Sequence, residues 1–320
     1  MLLNNLRARG HFALAMLSVV LCMPPARADL IYVAQAGGNL IEEFNSAGVG
    51  SVFASNINGT TGLAFDSAGN LFSANANGDK TIVKISPTGV PSLFADKRSV
   101  PHSNLPFQPI SLAFDSAGNL YAADNDNSII YKFTRNGQSS IFANSGLATP
   151  RGIAFDNAGN LYVANNSSNT IEKITPAGVT SVFAHTGLNN PTGIAFDSKG
   201  NLFVANFTSN TIEEFTPAGV GSVFVTGLRS PVGLAFDSTG DLYVANFFGS
   251  NIERFTPDGV GSVFAKIEVP QFLAFTTDAG VPLINPFVSP SVPLPPAIFP
   301  GLFCATACLT IARRRQAVRR

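Results

Sequence analysis

The Asp that closes the element Ala-Phe-Asp recurs at Asp66, Asp115, Asp156, Asp197 and Asp237, at separations of 49, 41, 41 and 40 residues. A unit of about 40 residues cannot bury both faces of a sheet by itself and must stack on its copies, so this repeat narrows the possible folds more than any other feature. It is clearest over residues 150–184: Pro-Arg-Gly-Ile-Ala-Phe-Asp, Asn-Ala-Gly-Asn, Leu-Tyr-Val-Ala-Asn, a polar loop, Thr-Ile-Glu-Lys-Ile, Thr-Pro-Ala-Gly-Val and Thr-Ser-Val-Phe-Ala. The four short apolar or alternating runs have the length and period of strands. Gly159 stands where the first turn needs positive φ, and Pro176 where the later turn needs its φ pre-set. Each unit is predicted to be a four-stranded antiparallel meander, and such units at this spacing stack radially as propeller blades.

The second strand occurs six times, at residues 30–35, 71–75, 120–124, 161–165, 202–206 and 242–246. The first copy lacks a preceding strand, whereas the last unit is followed by an orphan one at 271–276. The orphan is predicted to complete the first blade and close the ring, which removes exposed sheet edges. The expected fold is therefore all-β, a six-bladed propeller over residues 29–280. Twelve of the 27 Phe are assigned to packing between blades: Phe65, Phe114, Phe155, Phe196, Phe236 and Phe275 in first strands, and Phe53, Phe94, Phe142, Phe183, Phe224 and Phe264 in last strands. With 45% hydrophobic and 12% charged residues, the chain is no disordered polyelectrolyte and no coiled coil.

The formal net charge of zero is unevenly spread. All 20 acidic residues lie in the middle of the chain, with only 12 of the 20 basic ones. A body about eight charges negative repels phosphate backbones, so nucleic acid is excluded as a partner. Cysteine occurs only at Cys22, Cys304 and Cys308, and no disulfide can staple the repeats.

Both ends read as addresses. Residues 1–28 combine basic residues, an apolar run over 12–22 and a small-residue pattern ending at Ala28, which predicts a signal peptide cleaved between Ala28 and Asp29. A lipoprotein signal at Cys22 is the alternative, with bulky Leu21 against it. After a linker at 281–291, residues 292–320 hold Val292, Pro293, Leu294 and Pro295, then an apolar stretch over 297–312, then Arg313, Arg314 and Arg315. Sixteen residues of helix span ~24 Å, short of a ~30 Å hydrocarbon core. This three-part end resembles the PEP-CTERM sorting signal of Gram-negative bacteria in its Val-Pro-Leu-Pro variant. The resemblance implies recognition by an exosortase-type membrane transpeptidase, transient inner-membrane contact, removal of the tail and delivery to the outer surface or extracellular matrix. An ordinary tail anchor is the alternative.

The recurring Pro-x-Gly-[Ile/Leu]-Ala-Phe-Asp and Gly-Asn-Leu-Tyr-Val-Ala-Asn resemble the NHL-repeat family of six-bladed propellers. That family usually has Asp where this chain has Asn165, Asn206 and Asn246; Asp124 keeps it. The resemblance implies the fold and, because its members bind proteins, nucleic acids or other ligands, constrains chemistry weakly.

In a meander the start of the first strand and the end of the second meet at one rim. The residue after the repeat's Pro is expected opposite the residue ending the second strand: Gln271 with Gln35, Thr61 with Asn75, Ile110 with Asp124, Arg151 with Asn165, Thr192 with Asn206, and Val232 with Asn246. This amide-rich ring, with Phe207, Phe247 and Phe248 in adjoining loops, is the candidate ligand site and suits a polysaccharide or a protein surface. The competing reading is that each Asn caps its own loop. The extra residues at 97–108 are expected on the same rim, carrying His102 and Phe107.

Enzymatic readings are weaker. His11, His102 and His185 cannot form a zinc site or a triad. Gluconolactonase-like propellers, which this repeat resembles, imply a metal held by Glu, Asn and Asp, but no Glu falls on the rim here. Streptogramin lyases share similar repeats, and their catalytic His has no counterpart. The Asp-x-x-Gly-Asn turns offer one carboxylate each, too few for the about six to eight oxygens calcium takes. No cofactor and no metal site are expected, with a divalent cation such as calcium near Asp124 as the alternative. The preferred expectation is an exported, non-catalytic binding propeller at the cell surface, and the alternative a metal-dependent lactonase or lyase at the channel mouth.

Overall fold

The structure is a computed structural model that describes residues 29–101 and 104–277. The signal segment with Ala28, His102, the linker at 281–291 and the sorting segment at 292–320 lie outside the described residues.

Six four-stranded antiparallel sheets follow one another in chain order. Blade I is β1 (Asp29–Gln35), β2 (Leu40–Phe44) and β3 (Gly50–Ser55), completed by β24 (Pro270–Thr277). Blade II is β4 (Leu63–Phe65), β5 (Leu71–Ala74), β6 (Ile82–Ile85) and β7 (Pro91–Ala95). Blade III is β8 (Pro109–Phe114), β9 (Leu120–Asp124), β10 (Ile129–Phe133) and β11 (Ser139–Ala143). Blade IV is β12 (Pro150–Phe155), β13 (Leu161–Asn165), β14 (Thr170–Ile174) and β15 (Thr180–Ala184). Blade V is β16 (Pro191–Phe196), β17 (Leu202–Asn206), β18 (Thr211–Phe215) and β19 (Gly221–Val225). Blade VI is β20 (Pro231–Phe236), β21 (Leu242–Asn246), β22 (Asn251–Phe255) and β23 (Gly261–Lys266). The orphan strand pairs with β1, placing Ile31 opposite Phe275 and Val33 opposite Leu273. The expected six-bladed ring and its closure are what the structure has.

Between every two blades sits the same aromatic trio. A second-strand ring contacts the last-strand Phe of its own blade and the first-strand Phe of the next, as Tyr32 does with Phe53 and Phe65. The other five centres are Phe72, Tyr121, Tyr162, Phe203 and Tyr243, and all twelve contacts are edge-on with centroids 4.9–5.1 Å apart. Each such pair adds ~0.5–1.5 kcal/mol beyond area burial. The Phe positions were legible in the sequence; the rings at the centre were not singled out. In four blades a cation covers the central ring (Lys84 over Phe72, Lys132 over Tyr121, Lys173 over Tyr162, Arg254 over Tyr243) and is ion-paired to an Asp of the first turn.

The repeat's glycine explains how tightly the ring closes at one end. A Cβ on Gly152 would stand 2.2 Å from the Thr192 carbonyl oxygen, and on Gly193 it would stand 2.2 Å from that of Val232. Gly233 meets Gln271 and Gly62 meets Ile110 in the same way, at 2.3 and 2.6 Å. Adjacent first strands therefore touch backbone to backbone just inside the loop face. Beyond this waist the channel widens into an apolar cavity of about 190 Å³, lined by the Leu/Ile-Ala-Phe ends of the six first strands and located at the opposite face.

The described residues of the 97–108 segment lie on the loop face, as expected, beside Asp79, Lys80 and Asn127. The segment forms one 3-10 turn, Lys97–Ser99, and folds onto blade III, with Val100 and Phe107 buried beside Tyr131. Its carbonyls at Ser99 and Pro101 accept from Ser139 Oγ and Tyr131 OH. The physical reason is Tyr131: where the third strands of blades IV and V carry Glu172 and Glu213, blade III presents an aromatic ring for Phe107 to pack on.

Glu172 and Glu213 are themselves buried. Thr170 Oγ1 donates to Glu172 at 3.4 Å, whereas Glu213 has no hydrogen-bond partner among the described residues, and burial pushes both carboxyls up. A raised folded-state value means that the stability contributed by the protonated form is present at acid pH and lost as pH rises through that value. Glu213→Gln is therefore expected to stabilise the protein at pH 7 by on the order of 1 kcal/mol, with the gain shrinking as pH falls through the glutamate range. Urea melts of both proteins from pH 3.5 to 8 measure this; a variant less stable than wild type at pH 7 would refute it.

Candidate functional site

The first-strand starts and second-strand ends do share one rim, but the partners differ by one residue from the expected ones. Pro150, not Arg151, lies opposite Asn165; Pro191 faces Asn206, Pro231 faces Asn246, Pro109 faces Asp124 and Pro270 faces Gln35. The cause is a β-bulge at the start of these first strands, for example between Pro150 and Ile153, which sets extra residues against the second strand. In blade II Thr61 lies before β4, and both its backbone N–H and its Oγ1 donate to the Ala74 carbonyl.

The ring of amides is buried. Asn165 Oδ1 accepts from Ala148 N–H, while its Nδ2 donates to Gly146 O and Thr170 Oγ1, at 2.8–3.2 Å. Asn206 does the same with Asn189, Gly187 and Thr211. Asn246 accepts from Arg229 N–H and donates to Asn251 and Glu253, and Asn75 accepts from Ser73 Oγ and donates to Thr81. Asn165, Asn206 and Asn246 thus spend polar atoms tying down the connection from the preceding blade, and Asn75 bonds within its own blade, which is the loop-capping role weighed against binding. Gln35 is half-buried under Gly38, where a Cβ would come within 2.3 Å of its Oε1. Thr192 is fully buried and donates to Ala205 O and to Pro231 O of the next blade.

Asp124 is 0% exposed. Burial pushes its carboxyl up, against the hydrogen bonds it accepts from Asn127 N–H and Nδ2. Asn127 Nδ2 also donates to Pro106 O, so this carboxylate anchors the end of the 97–108 segment. Among the described residues no group of three or more His, Cys, Asp or Glu could hold a metal ion.

The rim is edged by the pair of residues after each second strand, all at least partly exposed except the buried Ala76. They are Ala36-Gly37, Ala76-Asn77, Asn125-Asp126, Asn166-Ser167, Phe207-Thr208 and Phe247-Phe248. Asn125 and Asn166 reach across to carbonyls of the next blade, Pro150 and Pro191. Phe207, Phe247 and Phe248 instead form one cluster, with centroid separations of 4.9, 6.0 and 6.5 Å. Phe248 is 68% exposed, and it is the one aromatic among the strongly exposed large hydrophobic side chains of the described residues. Apart from Leu105, the others are aliphatics of the outer strands, such as Val52, Val182, Val223 and Val263, and of the turns just before them, such as Val49 and Val179, copied from blade to blade. Arg151 is half-buried at the rim, and burial pulls its guanidinium down from the usual arginine value. Arg229, which rim reasoning had passed over, is exposed beside the Phe247–Gly249 turn: a Cβ on Gly249 would lie 3.3 Å from Arg229 Cβ. Its signal in the sequence was its charge two residues before the repeat's Pro, where the copies carry Ala148, Asn189 and Glu268.

No protein-family model matches the sequence, and no characterised protein matches it at the level of sequence. Similarity lies in solved structures. A chain of the nidogen/laminin complex superposes with a TM-score of 0.66 at 19% identity, over 77% of this chain and 98% of that one. A selenomethionine-substituted virginiamycin B lyase from Staphylococcus aureus gives 0.56 at 20% identity, over 68% and 77%. A catalytically inactive form of that lyase with quinupristin gives 0.61 at 18% identity, over 78% and 89%. At these identities the likeness is one of fold: the same propeller serves in a protein complex and in a lyase.

Proposed function

We propose that this protein is an exported, non-catalytic binding propeller that engages matrix polysaccharide through the loop face at the channel mouth. The observation that carries the reading is the Phe207, Phe247 and Phe248 cluster. Duplication copies whatever each blade needs in order to fold, and aromatic rings after the second strand are copied in only two blades of six. Phe248 keeps its ring in water, which costs hydrophobic free energy unless something covers it. A shallow aromatic platform suits the CH-rich face of a sugar ring better than a protein hot spot, which needs a deep dry pocket. The apolar cavity lies on the other face. A partner protein on the same face is the second possibility, and the nidogen/laminin likeness bears on it through fold alone.

Export and sorting belong to the same proposal. They rest on residues 1–28, which read as a signal peptide, and on Val292, Pro293, Leu294, Pro295, Arg313, Arg314 and Arg315, whose order resembles an exosortase-type sorting tail. Mass spectrometry of the protein recovered from its host surface should give an N-terminus at Asp29 and a C-terminus short of Arg313. A mature form ending at Arg320 would refute sorting.

For the site, co-sedimentation with matrix polysaccharide purified from the producing organism is the direct test. Phe247→Ala and Phe248→Ala together should weaken binding at least about ten-fold, the scale of losing an aromatic anchor. Val223→Ala on the outer strand should leave it unchanged. Equal binding by all three proteins would move the site elsewhere.

A further inference from the structure

The described residues contain five arginines, and they divide cleanly. Arg98 pairs with Asp96, Arg254 with Asp241, and Arg135 Nε donates to the Ala117 carbonyl. Arg151 and Arg229 have no ion pair and no side-chain hydrogen bond among the described residues, and these two stand on the mouth face, on blades IV and VI. Between them in ring order lies blade V, and the aromatic cluster spans blades V and VI. Adjacent first strands touch at Gly152 (blades IV and V) and Gly193 (blades V and VI), so these three blade starts follow one another at backbone contact distance along one side of the rim.

Arg151 is the more telling of the two. Its Nε is buried without a hydrogen-bond partner. A guanidinium that loses water and gains no acceptor is destabilising, and native folds keep such groups where a ligand supplies what the protein does not. The equivalent residues elsewhere are Thr61, Ile110, Thr192, Val232 and Gln271, all uncharged, so the fold does not need a cation there.

The charge of the whole molecule argues against a long polyanion running across its surface, but that charge is not on this face. The mouth face carries Lys80, Lys97, Arg98, Arg151 and Arg229 against Asp79, Asp96, Asp124, Asp126 and Glu268 in its loops and adjoining strand ends, among the described residues. The excess of carboxylates sits on strands and on the opposite turns. A single recessed guanidinium on a near-neutral face fits one carboxylate at a time.

Resting on the mouth-face reading above, we propose that the ligand is an acidic glycan whose uronate carboxylate is bound by Arg151 while the sugar ring packs on Phe207, Phe247 and Phe248, with Arg229 at the outer edge. A carboxylate is planar and bidentate, as a guanidinium is.

The test uses the mature chain and three probes in titration calorimetry: a panel of uronic-acid trisaccharides, the carboxyl-reduced form of each, and a glutamate-rich hexapeptide. Wild type should bind at least one uronate trisaccharide about ten-fold or more tightly than its reduced form, the scale of a charge-assisted hydrogen-bond pair. Arg151→Met should abolish that preference and leave binding of the reduced sugar unchanged. Its melting temperature should equal or exceed that of wild type, because a desolvated cation has been removed. Three outcomes overturn the proposal alone: equal affinity for acidic and reduced sugars with binding still lost in the Phe247→Ala, Phe248→Ala variant, preference for the peptide, or an Arg151→Met protein that melts well below wild type, which marks the residue as structural. Absence of binding by every sugar overturns the mouth-face reading as well.

Discussion

The pairing of β24 with β1 is the constraint on which the rest of the molecule depends. Without it blade I has three strands and two raw edges, and the trio centred on Tyr243 loses Phe275. With it the six trios form an unbroken circuit, each central ring touching its own blade's last strand and the next blade's first. Strands as far apart in sequence as Asp29 and Thr277 thus become neighbours in one sheet, and the mouth acquires a fixed circumference.

Fixed circumference is what lets small local changes become a site. The glycine contacts at Gly62, Gly152, Gly193 and Gly233 set the blade starts at backbone contact distance. The buried Asn side chains then hold each inter-blade connection down onto that frame. The residues after the second strands are not held to one pattern: blades III and IV use Asn125 and Asn166 to bond the next blade, whereas blades V and VI put aromatic rings there, and blade IV puts an unpaired cation at its first-strand start. Fold and recognition are separated within a single repeat, so one can be copied while the other departs from the copy.

Much of this was legible in the sequence because a 40-residue period and strand-length runs leave little choice of architecture. The closure of the ring followed from one missing strand at the start and one spare at the end. The central Tyr and Phe rings escaped because they sit inside the Leu-Tyr-Val-Ala run and read as ordinary strand residues. The rim pairing was off by one because a bulge adds residues without altering the period: Pro150 takes the place expected of Arg151. The extra residues at 97–108 were expected on the loop face and lie there, beside Asp79 and Lys80, but nothing in their own composition shows that Tyr131, on a strand some 25 residues later, receives Phe107. The amide ring was the largest shift in meaning. Asn165, Asn206 and Asn246 stand where expected, but the hydrogen bonds that would recognise a ligand are made with the loops above them.

The closed ring as one cooperative body is best tested by native-state hydrogen exchange. Amides in the β1–β24 pair, such as those of Ile31 and Leu273, should exchange through the same global opening as those of β13 and β17, with the same dependence on denaturant. If β24 instead detaches in a separate opening of much lower free energy while blades II to VI stay protected, the ring is not held by its closure, and the account of a rigid mouth fails with it.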